Sequence, residues 1–181
     1  MILSASELVE MLREPRTRRE GFAVLVKQYS EKLYWKVRRI VLSHEDANDV
    51  LQNVFIKVWS NLQNFQGKSS LSTWLYRIAV NESLDFLRKQ KLADKVSTDE
   101  DDSVASRLMS DEYFDGDEVQ TRLQEAVARL PEVQRTVFNL KYFEEMKYSE
   151  ISQILNTSEG ALKASYHLAV KKITEYLHLF D

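Results

Sequence analysis

Residues 148–173 contain the pattern that most directly predicts a chemical task, which is binding to DNA. Apolar residues at helical spacing up to Leu155 predict a short helix. Asn156 predicts its end, because asparagine tolerates the left-handed conformation that closes many helices. Ser158 can cap a second helix, whose first residues would then reach base edges in a major groove. The pattern predicts a helix-turn-helix, although an ordinary helical hairpin has the same spacing.

No residue cluster in the sequence predicts a metal centre or a catalytic site. Cysteine is absent, and the three histidines, His44, His167 and His178, are scattered along the chain. The carboxylates lie in one acidic segment or on predicted helix faces, and Gly67 and Gly160 are too isolated for a phosphate-binding loop. We therefore expect no cofactor, no metal and no enzymatic activity.

Long amphipathic helices dominate the predicted secondary structure, because the chain contains only 4 glycines and 2 prolines. Helices are predicted at 21–42, 45–62, 71–91, 118–130, 132–142, 149–155 and 158–178, with a loop at 64–70. The clearest apolar stripe consists of Val50, Leu51, Val54, Phe55, Val58, Trp59 and Leu62. Pro131 is expected at the first position of its helix. The fold class that follows is all-α.

Charge is unevenly distributed along the chain, whose net charge is −3. Residues 99–118 carry nine acidic side chains and one basic side chain, Arg107, which gives them −8 and leaves +5 for the remainder. Helical periodicity fades between 94 and 117, where Asp, Ser and Glu dominate. We therefore predict two small helical domains, at 1–93 and 118–181, joined by a flexible acidic linker at 94–117.

The sequence gives no sign of secretion or of membrane insertion. No apolar run of about 18 residues is present, so a membrane-spanning helix is not expected. The first residues lack a basic leader. Together with the absence of cysteine, these features predict a cytoplasmic location.

Three signatures in this order resemble the sigma factors of bacterial RNA polymerase, specifically the short extracytoplasmic-function (ECF) group. The signatures are Asp49-Val50-Leu51-Gln52-Asn53-Val54-Phe55 with Lys57 and Trp59; Phe65-Gln66-Gly67 with Thr73-Trp74-Leu75-Tyr76-Arg77-Ile78-Ala79 and Asn81; and Leu130-Pro131 with Tyr148-Ser149-Glu150-Ile151, Gly160 and Lys163. The resemblance covers nearly the full length. It implies a factor that binds core RNA polymerase and directs promoter recognition, DNA melting and transcription initiation.

The first signature resembles the helix that docks on the clamp helices of the polymerase's largest subunit. The residues that the resemblance assigns to core-polymerase binding are Asp49, Gln52, Asn53, Phe55 and Lys57. A mixed polar and aromatic helix face suits a partner interface. Family members usually carry Glu at the position of Asn53, so one charged contact is expected to differ.

The second signature resembles the segment that recognises and melts the minus-ten element. Aromatic side chains stack on freed bases for about 1–3 kcal/mol per base, while cations hold the phosphates. The candidate residues are Phe65, Lys68, Trp74, Tyr76, Arg77, Asn81, Arg88 and Lys89. Arg77 and Asn81 are four residues apart and share a helix face. Trp74, one turn before Ile78, has a core position as its alternative.

The third signature resembles the domain that reads the upstream, minus-thirty-five element. Its candidate recognition-helix residues are Ser158, Lys163, Ser165, His167, Lys171 and Lys172. Many family members carry arginine where this chain has Ser165 and Leu168. Fewer cations predict weaker phosphate binding and a shallower salt dependence.

The resemblance implies core RNA polymerase, promoter DNA and an anti-sigma factor as partners, and it places the acidic linker in the polymerase's RNA exit channel. A merely solubilising linker is the alternative. Two other protein classes also stay open: a dimeric helix-turn-helix transcriptional regulator and a protein-binding helical adaptor. A regulator of double-stranded DNA does not need the Trp74–Asn81 segment, and an adaptor has no reason to concentrate positive charge at 86–95 and 163–172.

Overall fold

The computed structural model describes residues 2–93 and 118–180, which form two compact helical units. The first unit contains α1 (Ala5–Arg13), α2 (Arg18–Val41), α3 (His44–Asn61), a 3₁₀ turn (Leu62–Asn64) and α4 (Leu71–Ala93). The second contains α5 (Glu118–Ala128), α6 (Glu132–Phe138), a π-helical turn (Asn139–Phe143), α7 (Tyr148–Leu155), α8 (Glu159–Leu177) and a 3₁₀ turn (His178–Phe180). No strand occurs within these two ranges, and the all-α prediction is confirmed. The predicted linker at 94–117 lies outside the described residues.

Helix α1 is missing from the sequence-based prediction, although its start carries a capping box. The hydroxyl of Ser4 accepts a hydrogen bond from the Glu7 amide at 3.3 Å, and the Glu7 carboxylate accepts one from the Ser4 amide at 2.8 Å. These bonds satisfy amides that a helix start leaves without intrahelical partners. Leu8 and Leu12 are buried, so this short helix is anchored in the first unit.

The core of the first unit is built from apolar side chains that recur every three or four residues along its helices. Its most deeply buried members include Leu25, Leu33, Val37, Val50, Val54, Val58, Leu75 and Ala79. Gly21 lets α2 approach α1 closely, because an ideal Cβ at this position would lie only 2.9 Å from the Cβ of Met11. The core therefore holds α1 through α4 in one packed body.

The second unit is organised around α8. Helices α5, α6 and α7 each pack against it. The central cluster consists of Ala126, Val127, Leu130, Phe138, Ala169 and Ile173. Arg135 is buried beside this cluster and donates hydrogen bonds to the carbonyls of Ala128 and Leu130, at 3.4 and 3.3 Å. Burial lowers the pKa of this guanidinium, which serves to bind carbonyls at the end of α5.

Two details of the second unit correct the sequence-based prediction. Pro131 is the N-cap of α6 and not its first helical residue, because its ψ of 145° is extended. The helix predicted at 132–142 is α-helical only to Phe138 and then widens into a π-helical turn. The amide of Glu144 reaches back five residues to the carbonyl of Asn139, at 3.2 Å. Short-range spacing did not reveal this wider turn.

Among the helices that the structure describes, none is both long enough and apolar enough to cross a membrane.

Candidate nucleic-acid interface

The loop at 65–70 brings several of the predicted melting residues together with the start of α4. Phe65 packs on Trp74 with ring centroids 5.1 Å apart, which ties the loop to the helix. Ser70 caps α4, because its hydroxyl accepts a hydrogen bond from the Thr73 amide at 3.1 Å. Lys68 is exposed. The loop therefore presents a cation near an aromatic pair.

The two aromatic candidates on α4, Trp74 and Tyr76, are both half-buried, so neither is fully available to a DNA base. Trp74 uses part of its surface to pack on Phe65. The ring of Tyr76 has the ammonium of Lys36 3.9 Å from its centroid, a cation–π arrangement. Burial raises the pKa of Tyr76. It lowers the pKa of Lys36 to about 8, with repulsion from Arg39 and Lys32 adding to the shift.

The polar candidates on α4 differ in how open they are to a ligand. Asn81 is exposed, whereas Arg77, one turn earlier, is half-buried. Near the end of the helix, Arg88 and Lys89 are both exposed. Arg88 forms an ion pair with Asp85, so Lys89 is the less engaged of the two cations.

The predicted polymerase-binding residues lie on α3, where Phe55 is half-buried and the other four, Asp49, Gln52, Asn53 and Lys57, are exposed. Lys57 forms an ion pair with Glu82 of α4, which raises the pKa of this lysine through the hydrogen bond between them. This pair joins α3 to α4 across 25 residues of sequence. Lys57 therefore has a structural task besides any contact with a partner.

Sequence reasoning missed the apolar part of the α3 surface. Ile56 is 63% exposed and lies on the same face as Gln52 and Asn53. Trp59, which the predicted stripe placed with the buried valines, is 45% exposed. Its ring packs edge-on against Phe22 of α2 at 5.0 Å, and Phe55 contacts Phe22 in the same way at 6.4 Å. The spacing of Ile56, out of phase with Val50, Val54 and Val58, was the available signal.

The turn between α7 and α8 has the predicted helix-turn-helix geometry. Asn156 adopts the left-handed conformation, with φ 50° and ψ 47°. Ser158 then caps α8, because its hydroxyl accepts a hydrogen bond from the Ala161 amide at 3.3 Å. Leu162 is buried, so the first turn of α8 is packed on the unit. This arrangement holds the start of α8 at the surface, as a recognition helix requires.

The predicted recognition-helix residues are distributed over two sides of α8. Lys163, His167 and Lys171 follow one another at four-residue spacing and are exposed. Lys172 is exposed at a different angle, and Ser165 is half-buried. Lys171 lies 3.9 Å from Glu175, a surface ion pair of small energetic weight. Of these cations, Lys163 lies nearest the start of α8, so it has the most favourable position for contact with DNA.

The comparisons with known proteins decide the family. A family model described as Sigma-70 region 2 matches residues 25–93, and one described as Sigma-70, region 4 matches residues 120–173. The chain is 33% identical to the ECF RNA polymerase sigma factor SigW of Bacillus subtilis over 157 residues, which cover 82% of this chain and 84% of the relative. The RNA polymerase sigma-H factor of Pseudomonas aeruginosa is 32% identical over 94% of this chain and 92% of its own length. The chain belongs to the sigma-70 family, in its ECF group.

Solved structures show the same fold at lower identity. The sigma factor RpoE of Bartonella quintana, solved with the anti-sigma factor NepR, matches with a TM-score of 0.68 and 21% identity, covering 88% of this sigma factor and 98% of RpoE. CnrH, solved with the cytosolic domain of CnrY, matches with a TM-score of 0.63 and 19% identity, covering 98% of this chain and 96% of CnrH. These likenesses extend over both helical units.

Sigma factors are non-enzymatic transcription initiation factors that bind core RNA polymerase and promoter DNA. Family membership therefore decides against a dimeric regulator and against a simple adaptor. Within residues 2–93 and 118–180, no group of His, Cys, Asp and Glu side chains is arranged to hold a metal ion.

Proposed function

We propose that the two units of this sigma factor divide the work of initiation. The first unit, in the predicted domain at 1–93, binds core polymerase through α3 and recognises and melts the minus-ten element through the loop at 65–70 and α4. The second unit, in the predicted domain at 118–181, reads the minus-thirty-five element with α8.

The observation that carries this proposal is the arrangement of the loop against α4. Phe65 and Trp74 pack on each other there, and Lys68 and Asn81 stay exposed. Aromatic side chains beside cations and amides suit the binding of a single DNA strand with unpaired bases. A protein that recognises only double-stranded DNA does not bind such a strand. The left-handed Asn156 and the cap at Ser158 support major-groove reading by the second unit.

The residues proposed for core-polymerase binding are Asp49, Gln52, Asn53, Phe55 and Lys57, and we add Ile56 and Trp59. An exposed apolar patch framed by polar side chains is typical of a protein-binding surface. The free protein must keep this patch away from other partners. An anti-sigma factor is therefore proposed as a second protein partner, and the cytoplasm as the location, where polymerase is found.

Run-off transcription with core enzyme on genomic promoter fragments tests the function. We expect transcripts that depend on the added chain, and co-elution of the chain with core polymerase. Core enzyme alone is the control for background initiation. Co-elution without transcripts would contradict promoter recognition, and failure of both would contradict the proposal as a whole.

A further inference from the structure

Helix α1 precedes the residues that the region 2 model matches, and the proposed function gives it no task. It packs against α2 and against the 3₁₀ turn at Leu62–Asn64. That turn leads directly into the loop at 65–70, which we propose receives the melted strand. Helix α1 is therefore a structural neighbour of the proposed melting site.

The last turn of α1 is held by the side chains of Thr17, which directly precedes α2, and of Arg18, the first residue of α2. The guanidinium of Arg18 donates hydrogen bonds to the carbonyls of Leu12 and Arg13, at 3.0 and 3.1 Å. The hydroxyl of Thr17 donates to the carbonyl of Met11 at 2.9 Å. Carbonyls at a helix end have no intrahelical partners, so these bonds fix the last turn. They also fix the position from which the Arg13 side chain leaves the helix.

The guanidinium of Arg13 lies beside the turning point of the loop. Gly67 has a φ of 71°, a conformation in which glycine avoids strain. An ideal Cβ at Gly67 would lie 3.4 Å from Nη2 of Arg13. Arg13 and Lys68 are both exposed, and the Arg13 guanidinium has no hydrogen bond or ion pair within the ranges that the structure describes.

We propose that Arg13 and Lys68 together bind the phosphodiester backbone of the separated promoter strand at the loop. This inference rests on the proposed function, because it requires a strand that the loop receives. A guanidinium is permanently charged and offers paired donors that match phosphate oxygens. Glu10 and Glu14 repel a strand from the rest of α1, which confines the contact to the loop end of the helix.

Holoenzyme assembled with the full-length chain provides the test. The DNA is a promoter that the wild-type protein transcribes, with its minus-ten region held single-stranded by mismatches. The association constant K for this DNA falls as the salt concentration rises. We expect Arg13→Gln to make the plot of log K against log salt less steep by about 0.7, the value for one phosphate contact on a single strand. The affinity ratio of wild type to variant then falls about 2.6-fold between about 50 and about 200 mM salt.

Arg16→Gln is the matched control, because Arg16 is an exposed arginine between α1 and α2 and carries the same charge. We expect it to leave the slope unchanged, and Arg13→Lys to keep most of the wild-type slope. Equal slopes for Arg13→Gln and Arg16→Gln would overturn the inference. So would a loss of thermal stability in Arg13→Gln without a change of slope, which is the result of a purely structural role.

The two proposals fail in different ways. If wild-type holoenzyme yields no transcript from any fragment, the proposed function fails. If wild-type holoenzyme transcribes and Arg13→Gln keeps the wild-type slope, only the contact from α1 fails.

Discussion

At the residue scale, Lys163 is held at the surface of α8 by an aromatic neighbour. Its ammonium lies 5.7 Å from the ring centroid of Tyr148, and the ammonium of Lys141 lies 4.9 Å from the same centroid. Attraction to the ring orients Lys163 without neutralising its charge. Few cations share this exposed side of α8, so changing one charge should have a measurable effect on DNA binding.

We expect Lys163→Glu to weaken promoter binding and Leu168→Arg to strengthen it. Leu168 is 46% exposed, so an arginine there can reach the DNA backbone without disturbing the core. One added phosphate contact on duplex DNA steepens the slope of log K against log salt by about 0.9. Filter binding at several salt concentrations measures this slope. An unaltered slope for Leu168→Arg would mean that this side of α8 does not approach the backbone.

Replacing both Arg77 and Asn81 by alanine should abolish open-complex formation while core binding stays largely intact. The reason is that both side chains lie on one face of α4, four residues apart, whereas the residues assigned to polymerase belong to α3. Permanganate reactivity around the start site reports melting, and co-elution reports core binding. Asn81→Ala alone is the gentler variant, because Asn81 is exposed. Wild-type permanganate reactivity in the double variant would refute the assignment.

The pKa of Lys36, lowered to about 8 mainly by burial, gives the first unit a specific pH dependence. Between about pH 8 and about pH 10.5 the unfolded chain binds more protons at this site, so the site's contribution to stability rises with pH. Below pH 8 the cost of burying the charge is fully present.

We expect wild type to gain about 1 kcal/mol relative to Lys36→Met on going from pH 7.5 to pH 10. This gain is well below the free energy that corresponds to the whole pKa shift of Lys36, because solvent screens a partly exposed group. Urea unfolding of both proteins at the two pH values measures the difference. A constant difference would show that Lys36 titrates normally.

At the scale of elements, local signals were enough to predict the helix-turn-helix, since Asn156 and Ser158 act within their own turn. The π-helical turn after Phe138 and the ion pair between Lys57 and Glu82 depend on tertiary packing. Spacing along the chain carries no information on such contacts. Helix α1 is an intermediate case, because its capping box is visible in the sequence but only its packing on α2 explains why so short a helix is stable.

Replacing either of two glycines by alanine should change the stability of its unit, and the two changes should have opposite signs. Gly21→Ala should destabilise the first unit by about 1–3 kcal/mol, because the new methyl group would meet the Cβ of Met11 at 2.9 Å and its backbone carbon at 3.3 Å. Gly160→Ala in α8 should instead stabilise the second unit by about 0.5 kcal/mol, since nothing lies within 4 Å of the new Cβ. Calorimetry of both variants measures the shifts. An unaffected Gly21→Ala would mean that α1 can move away at little cost.

At the scale of the whole molecule, the acidic segment at 99–118 follows, in the sequence, a first unit with a net charge of +5, and it precedes a second unit that is close to neutral. Replacing its acids by Ser and Asn at constant length should weaken core affinity and change the yield of abortive transcripts, if the segment occupies a basic channel of the polymerase. Fluorescence anisotropy with labelled core and gel analysis of short transcripts measure the two effects. Unchanged values for both would leave the segment a solubilising role only.

Because Trp74 packs on Phe65, intrinsic tryptophan fluorescence can report on the loop. All three tryptophans of the chain, Trp35, Trp59 and Trp74, belong to the first unit, while the second unit contains tyrosine and phenylalanine but no tryptophan. Emission excited at the red edge of the spectrum therefore follows the first unit alone. Trp59 lies on the surface proposed for polymerase and Trp74 against the proposed melting loop. Phenylalanine at one or the other position would separate the two signals without any attached dye.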